Sequence, residues 1–260
     1  MLRKIVFATF LTGTALLFVA QPADAAFRLR LEDVGSGKGV VISDGGVGDL
    51  SPDAGMIIFS GAVEGFSVNV TTGTSTLTGP LTLPGYYGGI DLNNISIGSA
   101  SAGTLRIILE QDGFGATTPD GGVVLNNKVG GVLTGPLNST VTFESFADDT
   151  NAVPDLGPDQ PTSSGLASVI GLPTPNAVAA PALTFGSGAF SGSSSIAFNK
   201  TGTYSLYSVI TITFDGEGSV SFNHITATNP APVGLVLMAS GAPVLALAWL
   251  RRRSAKVQAS

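Results

Sequence analysis

Asp44, Asp49 and Asp53 stand within ten residues of one glycine-rich stretch, DGGVGDLSPDAG. Carboxylates spaced this way in a loop suit Ca²⁺, which takes roughly six to eight oxygen ligands and accepts backbone carbonyls among them. The EF-hand order of aspartates closed by a glutamate is absent. The competing reading is local, because Asp in a Gly-rich turn bonds its own backbone. Asp148 and Asp149 form a second, similar pair. Tyr86 and Tyr87 lie in PGYYGG. Exposed there, the rings would stack on sugars; packed inward, they would anchor a loop. No cofactor beyond calcium is implied.

His224 is the sole histidine, flanked by Asn223 and Ile225 in an alternating stretch. A Ser-His-Asp site would need a positioned nucleophile, and no G-x-S-x-G elbow occurs. With one histidine and no cysteine, zinc and non-haem iron lack their usual ligands. A glycosidase needs two carboxyl groups facing one cleft. The acids here fall mostly in Gly-rich turns: Asp44, Asp49, Asp53, Asp112, Asp120, Asp215 and Glu217. No catalytic residue is assigned, and the reading is a protein that is not an enzyme.

The elements that would position these groups are strands. Charged residues make up 12% of the chain and Gly numbers 35 of 260, against typical shares of about 25% and about 7%. Phe27–Leu31 alternates as a half-buried strand. Met56–Phe59, Phe66–Val70, Ile90–Ile97, Leu105–Glu110 and Val141–Ser145 follow, with a bulge expected at Asn93-Asn94. Thr203–Phe214 and Val220–Thr228 form the longest pair, joined across Asp215–Gly218 as a hairpin. Residues 147–190 carry six prolines and little alternation. They read as a long loop within one domain, with a boundary between two small β-units as the alternative. The expected fold is an all-β antiparallel sandwich, jelly-roll-like or Ig-like.

The two ends differ from this passenger, which spans 26–228. Arg3 and Lys4 precede an apolar run, and Ala23-Asp24-Ala25 fits the small-x-small rule for cleavage before Ala26. Residues 1–25 therefore read as a signal helix handled by the Sec machinery and signal peptidase. Residues 229–260 begin with Asn229-Pro230-Ala231-Pro232. An uncharged segment, 233–250, follows, long enough at the lower limit to span a membrane as a helix, and then Arg251, Arg252 and Arg253. Between the ends lie 6 basic and 17 acidic residues, a net charge of −11. Such a surface repels phosphate backbones, so nucleic acid is excluded as a partner.

Proline motif, hydrophobic segment and terminal arginine cluster together resemble the PEP-CTERM sorting signal. Pro230 and Pro232 match its two prolines, and Ala231 stands where the family usually carries Glu. Passenger blocks resemble those of PEP-CTERM proteins too: DGGVGDLSP before Gly55-Met56-Ile57, DLNN leading to Gly103-Thr104-Leu105, and YSLYSVITIT. The resemblance implies a Gram-negative-type bacterium, an exosortase-type transpeptidase as partner, transient membrane retention, and release to the cell surface or a biofilm matrix. It brings no defined activity. A structural or adhesive role leads; a polysaccharide- or calcium-binding module is the second reading and an envelope hydrolase the third.

Overall fold

The computed structural model describes residues 26–77, 85–115, 118 and 120–231. The proposed leader with Ala23 and Ala25, and the tail from Pro232 through Arg251, Arg252 and Arg253, lie outside them. Among the described residues there are fourteen strands and no helix, so none is long and apolar enough to cross a membrane.

In chain order the strands are β1 (Phe27–Asp33), β2 (Lys38–Ser43), β3 (Met56–Val63), β4 (Phe66–Ser75), β5 (Gly88–Ser99), β6 (Gly103–Phe114) and β7 (Gly121–Thr134). Then come β8 (Thr140–Asp148), β9 (Gln160–Gly165), β10 (Ala177–Ala179), β11 (Leu183–Gly186), β12 (Gly188–Lys200), β13 (Tyr204–Phe214) and β14 (Gly218–Pro230). They build two antiparallel sheets. The eight-stranded sheet runs β10-β8-β13-β6-β1-β2-β9, with β11 also on β8; the six-stranded sheet runs β12-β7-β14-β5-β4-β3.

Alternation explains the layers. Val68 and Val70 on β4, Ile95 and Ile97 on β5, and Val220 and Phe222 on β14 all enter one core with Leu29, Leu31, Ile107, Leu109, Phe143 and Ile210 of the other sheet. Successive strand residues face opposite ways, so each of these fixes its polar neighbours outward. The bulge at Asn93-Asn94 is present: β5 spends three residues, from Ile95 to Leu92, where β14 spends two. Asn94 takes a left-handed φ of 52°.

Two expectations are corrected. β13 and β14 are not a hairpin. β13 pairs β6 and β8, β14 pairs β5 and β7, and the link between them passes from one sheet to the other. Nor is β1 half-buried. Its outward residues Arg30 and Glu32 are buried as well, because the proline-rich segment lies over that face. Leu156, with Leu166, Val169 and Leu172 beside it, packs on Val41, Ile108, Phe146, Tyr207 and Val209 in a second apolar cluster. Phe146 and Tyr207 stack with centroids 4.7 Å apart. Arg30 donates to the carbonyls of Leu156 at 3.1 Å and Ala167 at 2.9 Å, and Arg28 donates to that of Gly157. The stretch expected as a loop thus also supplies β9, β10 and β11 at the sheet edges.

Candidate functional site

Among the described residues, no such cover lies over most of the outer face of the six-stranded sheet. Its residues follow from the register. One row crosses all six strands as Ser60, Asn69, Ser96, Ser221, Val132 and Ala189. The next reads Ala62, Ser67, Gly98, Ser219 and Thr134. On the other side lie Asn223, Gly130 and Ser191. Every side chain in these rows is short. Hydroxyls and carboxamides both donate and accept hydrogen bonds, so the face offers mixed polar groups at the inter-strand repeat of about 4.8 Å.

A fourth row carries the charges: Thr74, Asp91, Ile225, Lys128 and Ser193. Lys128 is exposed. Asp91 is buried, accepts from Asn93 Nδ2 at 2.5 Å, and leaves its Oδ1 without a partner among the described residues. Burial pushes its carboxyl up to about 7, against the opposing pull of the Asn93 bond.

Two depressions mark the face. A groove of about 650 Å³ lies where β4 and β14 begin and β5 and β7 end, lined by Ser67, Gly98, Thr134, Glu217, Gly218 and Ser219. A smaller hollow of about 140 Å³ opens at mid-face between Asn94, Gly130, Gly131, Ser221 and Asn223. Glycine is required at its floor, since a Cβ on Gly131 would stand 2.3 Å from the Ser221 carbonyl and 2.7 Å from the Phe190 ring. Asn223 Oδ1 accepts the Asn94 N–H at 2.6 Å, which ties β14 to the β5 bulge at the hollow's rim.

The residues singled out from sequence lie elsewhere. Asp49 spends both carboxylate oxygens on its own loop, accepting from Ser51 N at 2.9 Å, Ile58 N at 3.0 Å and Gly45 N at 2.9 Å. Asp44 Oδ2 accepts from Gly55 N at 2.6 Å. Asp53 takes part through its backbone, its N–H reaching Ser51 Oγ at 3.1 Å. These bonds follow the local reading of Asp in turns. Among the described residues no group of three or more His, Asp or Glu is arranged to hold a metal ion. Tyr86 is exposed and Tyr87 half-buried against the core, with its N–H bonded to the Thr228 carbonyl at 2.7 Å. Both sit at the end of the sheet away from the groove. Asn229 and Pro230 are the last two residues of β14, paired with Val124 and Val123, and Ala231 N reaches the Gly122 carbonyl at 3.1 Å.

His224 points into the core. Its Nε2 meets Asn127 Oδ1 at 2.9 Å, and Asn127 Nδ2 donates to the Phe143 carbonyl at 3.1 Å. The Asn127 oxygen is therefore the acceptor and Nε2 carries the proton. Ser145 Oγ is 3.4 Å from the same nitrogen and 2.6 Å from Thr226 Oγ1, which is 2.6 Å from Ser208 Oγ. Complete burial holds the imidazole down to about 3, so it is neutral. A serine beside a histidine here is a hydrogen-bonded seam between the sheets. Substrate has no path to it, since all these groups are buried.

The polar rows were not singled out from the sequence, although their signal is present. FSVNV, NISIGS and SVSFN each put Ser, Asn or Gly on one parity and apolar residues on the other.

No protein-family model matches the chain, and no curated protein matches it. Solved structures with distant similarity include TmCBM61 in complex with beta-1,4-galactotriose, at 7% identity and a TM-score of 0.32, covering 71% of this chain and 92% of that one. TmCBM27, a carbohydrate-binding module that recognises mannan, is 10% identical with a TM-score of 0.23, covering 67% and 89%. The enzymatically active domain of bacteriophage CBA120 tailspike protein 4 is 8% identical with a TM-score of 0.27, covering 64% of this chain and 20% of that one. At these scores the sandwich assignment stands on the two sheets themselves.

Proposed function

We propose that this chain is an exported, non-catalytic adhesive protein of the cell surface or extracellular matrix, whose six-stranded sheet meets neutral polysaccharide across its open face. The observation that carries the reading is the contrast between the two sheets. One outer face is covered by the chain's own proline-rich segment. The other presents rows of hydroxyl and carboxamide groups. Sugar hydroxyls pair with groups that donate and accept alike. Lys128 and Asp91 are the only charged residues in the fourth row, while the passenger's net charge of −11 repels anionic polymers.

Export and sorting belong to the same proposal. Ala26 lies one residue before β1 and Pro230 ends β14, so removing both ends would leave every described strand. The partners are then the Sec machinery, signal peptidase and an exosortase-type enzyme. Intact mass of the protein recovered from cells and medium tests that part: loss of residues 1–25 and of the tail is expected, and a mass retaining 233–260 refutes tail processing.

Depletion on insoluble neutral and anionic polysaccharides tests the binding part. Retention on a neutral polymer is expected, together with a loss of at least tenfold in Ser96→Arg and Ser221→Arg. Equal retention of wild type and both variants on every polymer overturns the assignment to this face.

A further inference from the structure

The start of β1 bears on what leader removal does to the folded protein. The backbone nitrogen of Ala26 donates to Asp112 Oδ1 at 2.8 Å. Its place is set by the ladder on both sides. Phe27 through Asp33 pair with Gln111 through Leu105 on β6, and Arg28 through Asp33 pair with Ser43 through Lys38 on β2. Phe27 is itself buried. Ala26 is therefore held at a fixed point beside Asp112, although it is exposed.

The surroundings are rich in acid. Ala26, Arg28, Glu110 and Asp112 share the outer face of the sheet by alternation. Asp155 and Asp159 approach from the covering segment. Arg28 is the cation among them, 3.8 Å from both Glu110 Oε1 and Asp159 Oδ1. Glu110 is fully buried, and neither of its carboxyl oxygens has a hydrogen bond from the described residues. Asp112 and Asp155 both act to raise its carboxyl further. Four acids thus face one arginine at the point where the chain enters β1.

From this geometry we infer that Asp112 is the seat of the mature N-terminus, pairing with an α-ammonium that exists only after the leader is cut. The inference rests on the reading that cleavage falls between Ala25 and Ala26. Hydrolysis there breaks the Ala25 C–Ala26 N bond. Water supplies the second oxygen of the Ala25 carboxylate and a hydrogen to the new amine, which near neutral pH also takes the proton that the new carboxyl group sheds. The neutral N–H donor becomes a cation in place, and the contact becomes a charge-assisted ion pair. Processing also brings a second positive charge to the acid group around Glu110. The seat is specific for register. An ammonium one residue upstream would sit about 3.8 Å farther along the chain, out of reach of the same oxygen.

The test uses the full chain secreted with its own leader. Intact mass first identifies the N-terminal residue. An amine-reactive reagent is then applied near neutral pH, and labelling of the α-amine is followed relative to exposed Lys128. The wild-type α-amine is expected to label about two- to fivefold more slowly than in Asp112→Asn, the size of an exposed ion pair. A second protein with one glycine placed before Ala26 in the mature chain keeps Asp112 and is expected to label at the faster rate. Equal rates in all three overturn the seat. A first residue other than Ala26 overturns the cleavage reading alone, and the seat is then tested on protein released at Ala26 by a site-specific protease.

Discussion

Glu110→Gln should flatten the alkaline side of the protein's stability profile. Glu110 is fully buried beneath the covering segment, its oxygens lack hydrogen bonds among the described residues, and the Arg28 guanidinium is 3.8 Å away. Burial pushes its carboxyl up from 4.5 to about 8, with Arg28 pulling the other way. A carboxyl raised in the folded state holds its proton more tightly there than in the unfolded chain. Its contribution is full below 4.5, falls as pH rises toward 8, and stays lost above it. The slope is about 1.4 kcal/mol per pH unit, so from pH 6 to pH 9 Glu110 alone removes about 3 kcal/mol. Asp91, raised to about 7, adds about 1.4 kcal/mol of the same sign between pH 6 and 7. Urea unfolding followed by circular dichroism at pH 6, 7.5 and 9 reads these terms. Wild type should lose about 4 kcal/mol across the range and Glu110→Gln about 1 kcal/mol. Near pH 6 the two should differ by less than about 1 kcal/mol, because an amide replaces a protonated acid of the same shape. Parallel profiles for the two proteins would refute the reasoning, whatever their absolute stabilities.

The acid limb belongs to His224. Its imidazole is held at about 3 in the fold, so stability falls as pH drops from 6.5 toward 3, by up to about 5 kcal/mol; His224→Gln should remove that share of the loss in acid titrations followed by circular dichroism. Lys200 is buried with its ammonium donating to the carbonyls of Gly115 at 3.3 Å, Thr118 at 3.0 Å and Gly202 at 3.1 Å, and to Asp120 Oδ1 at 3.3 Å. Lys200→Met leaves those acceptors unpaired and should cost about 2–4 kcal/mol in urea unfolding. Leu156 is fully buried where the covering segment meets the sheet, and Leu156→Ala should cost about 2–4 kcal/mol and hasten protease cleavage within 149–176, read by mass spectrometry of the fragments.

The strands that were legible in the sequence are those with large apolar residues on one parity. β4, β5 and β14 carry Val, Ile and Phe inward, and their period of two is plain. β12 was illegible because Gly192 and Ser194 share the inward parity with Phe190, Ile196 and Phe198, so the apolar period thins out in its middle. β7 was blurred by Asn127, an inward polar residue that serves His224. The DGEG link reads as a hairpin turn in the sequence. Turn chemistry cannot say whether the two strands it joins share a sheet, and here they do not. The covering segment reads only as a long loop in the sequence, because Leu156, Leu166, Val169 and Leu172 keep no strand period between their prolines. Of the candidate site, the aspartate loop was read for its residue types, which serve turns and Ca²⁺ alike. The polar rows become a surface only when six strands are set side by side.

The position of β14 has a mechanical consequence. It is an interior strand, paired over twelve residues with β7 and over ten with β5, and the apolar stretch of sequence 233–250 begins three residues beyond its end at Pro230. A pull on the tail runs along the strand axis. It loads both ladders in shear, so many hydrogen bonds must yield together instead of opening one after another from an edge. Detachment under force is then governed by the unfolding rate of the whole sheet. A protein tethered by that end would hold against flow or traction for as long as its six-stranded sheet stays whole.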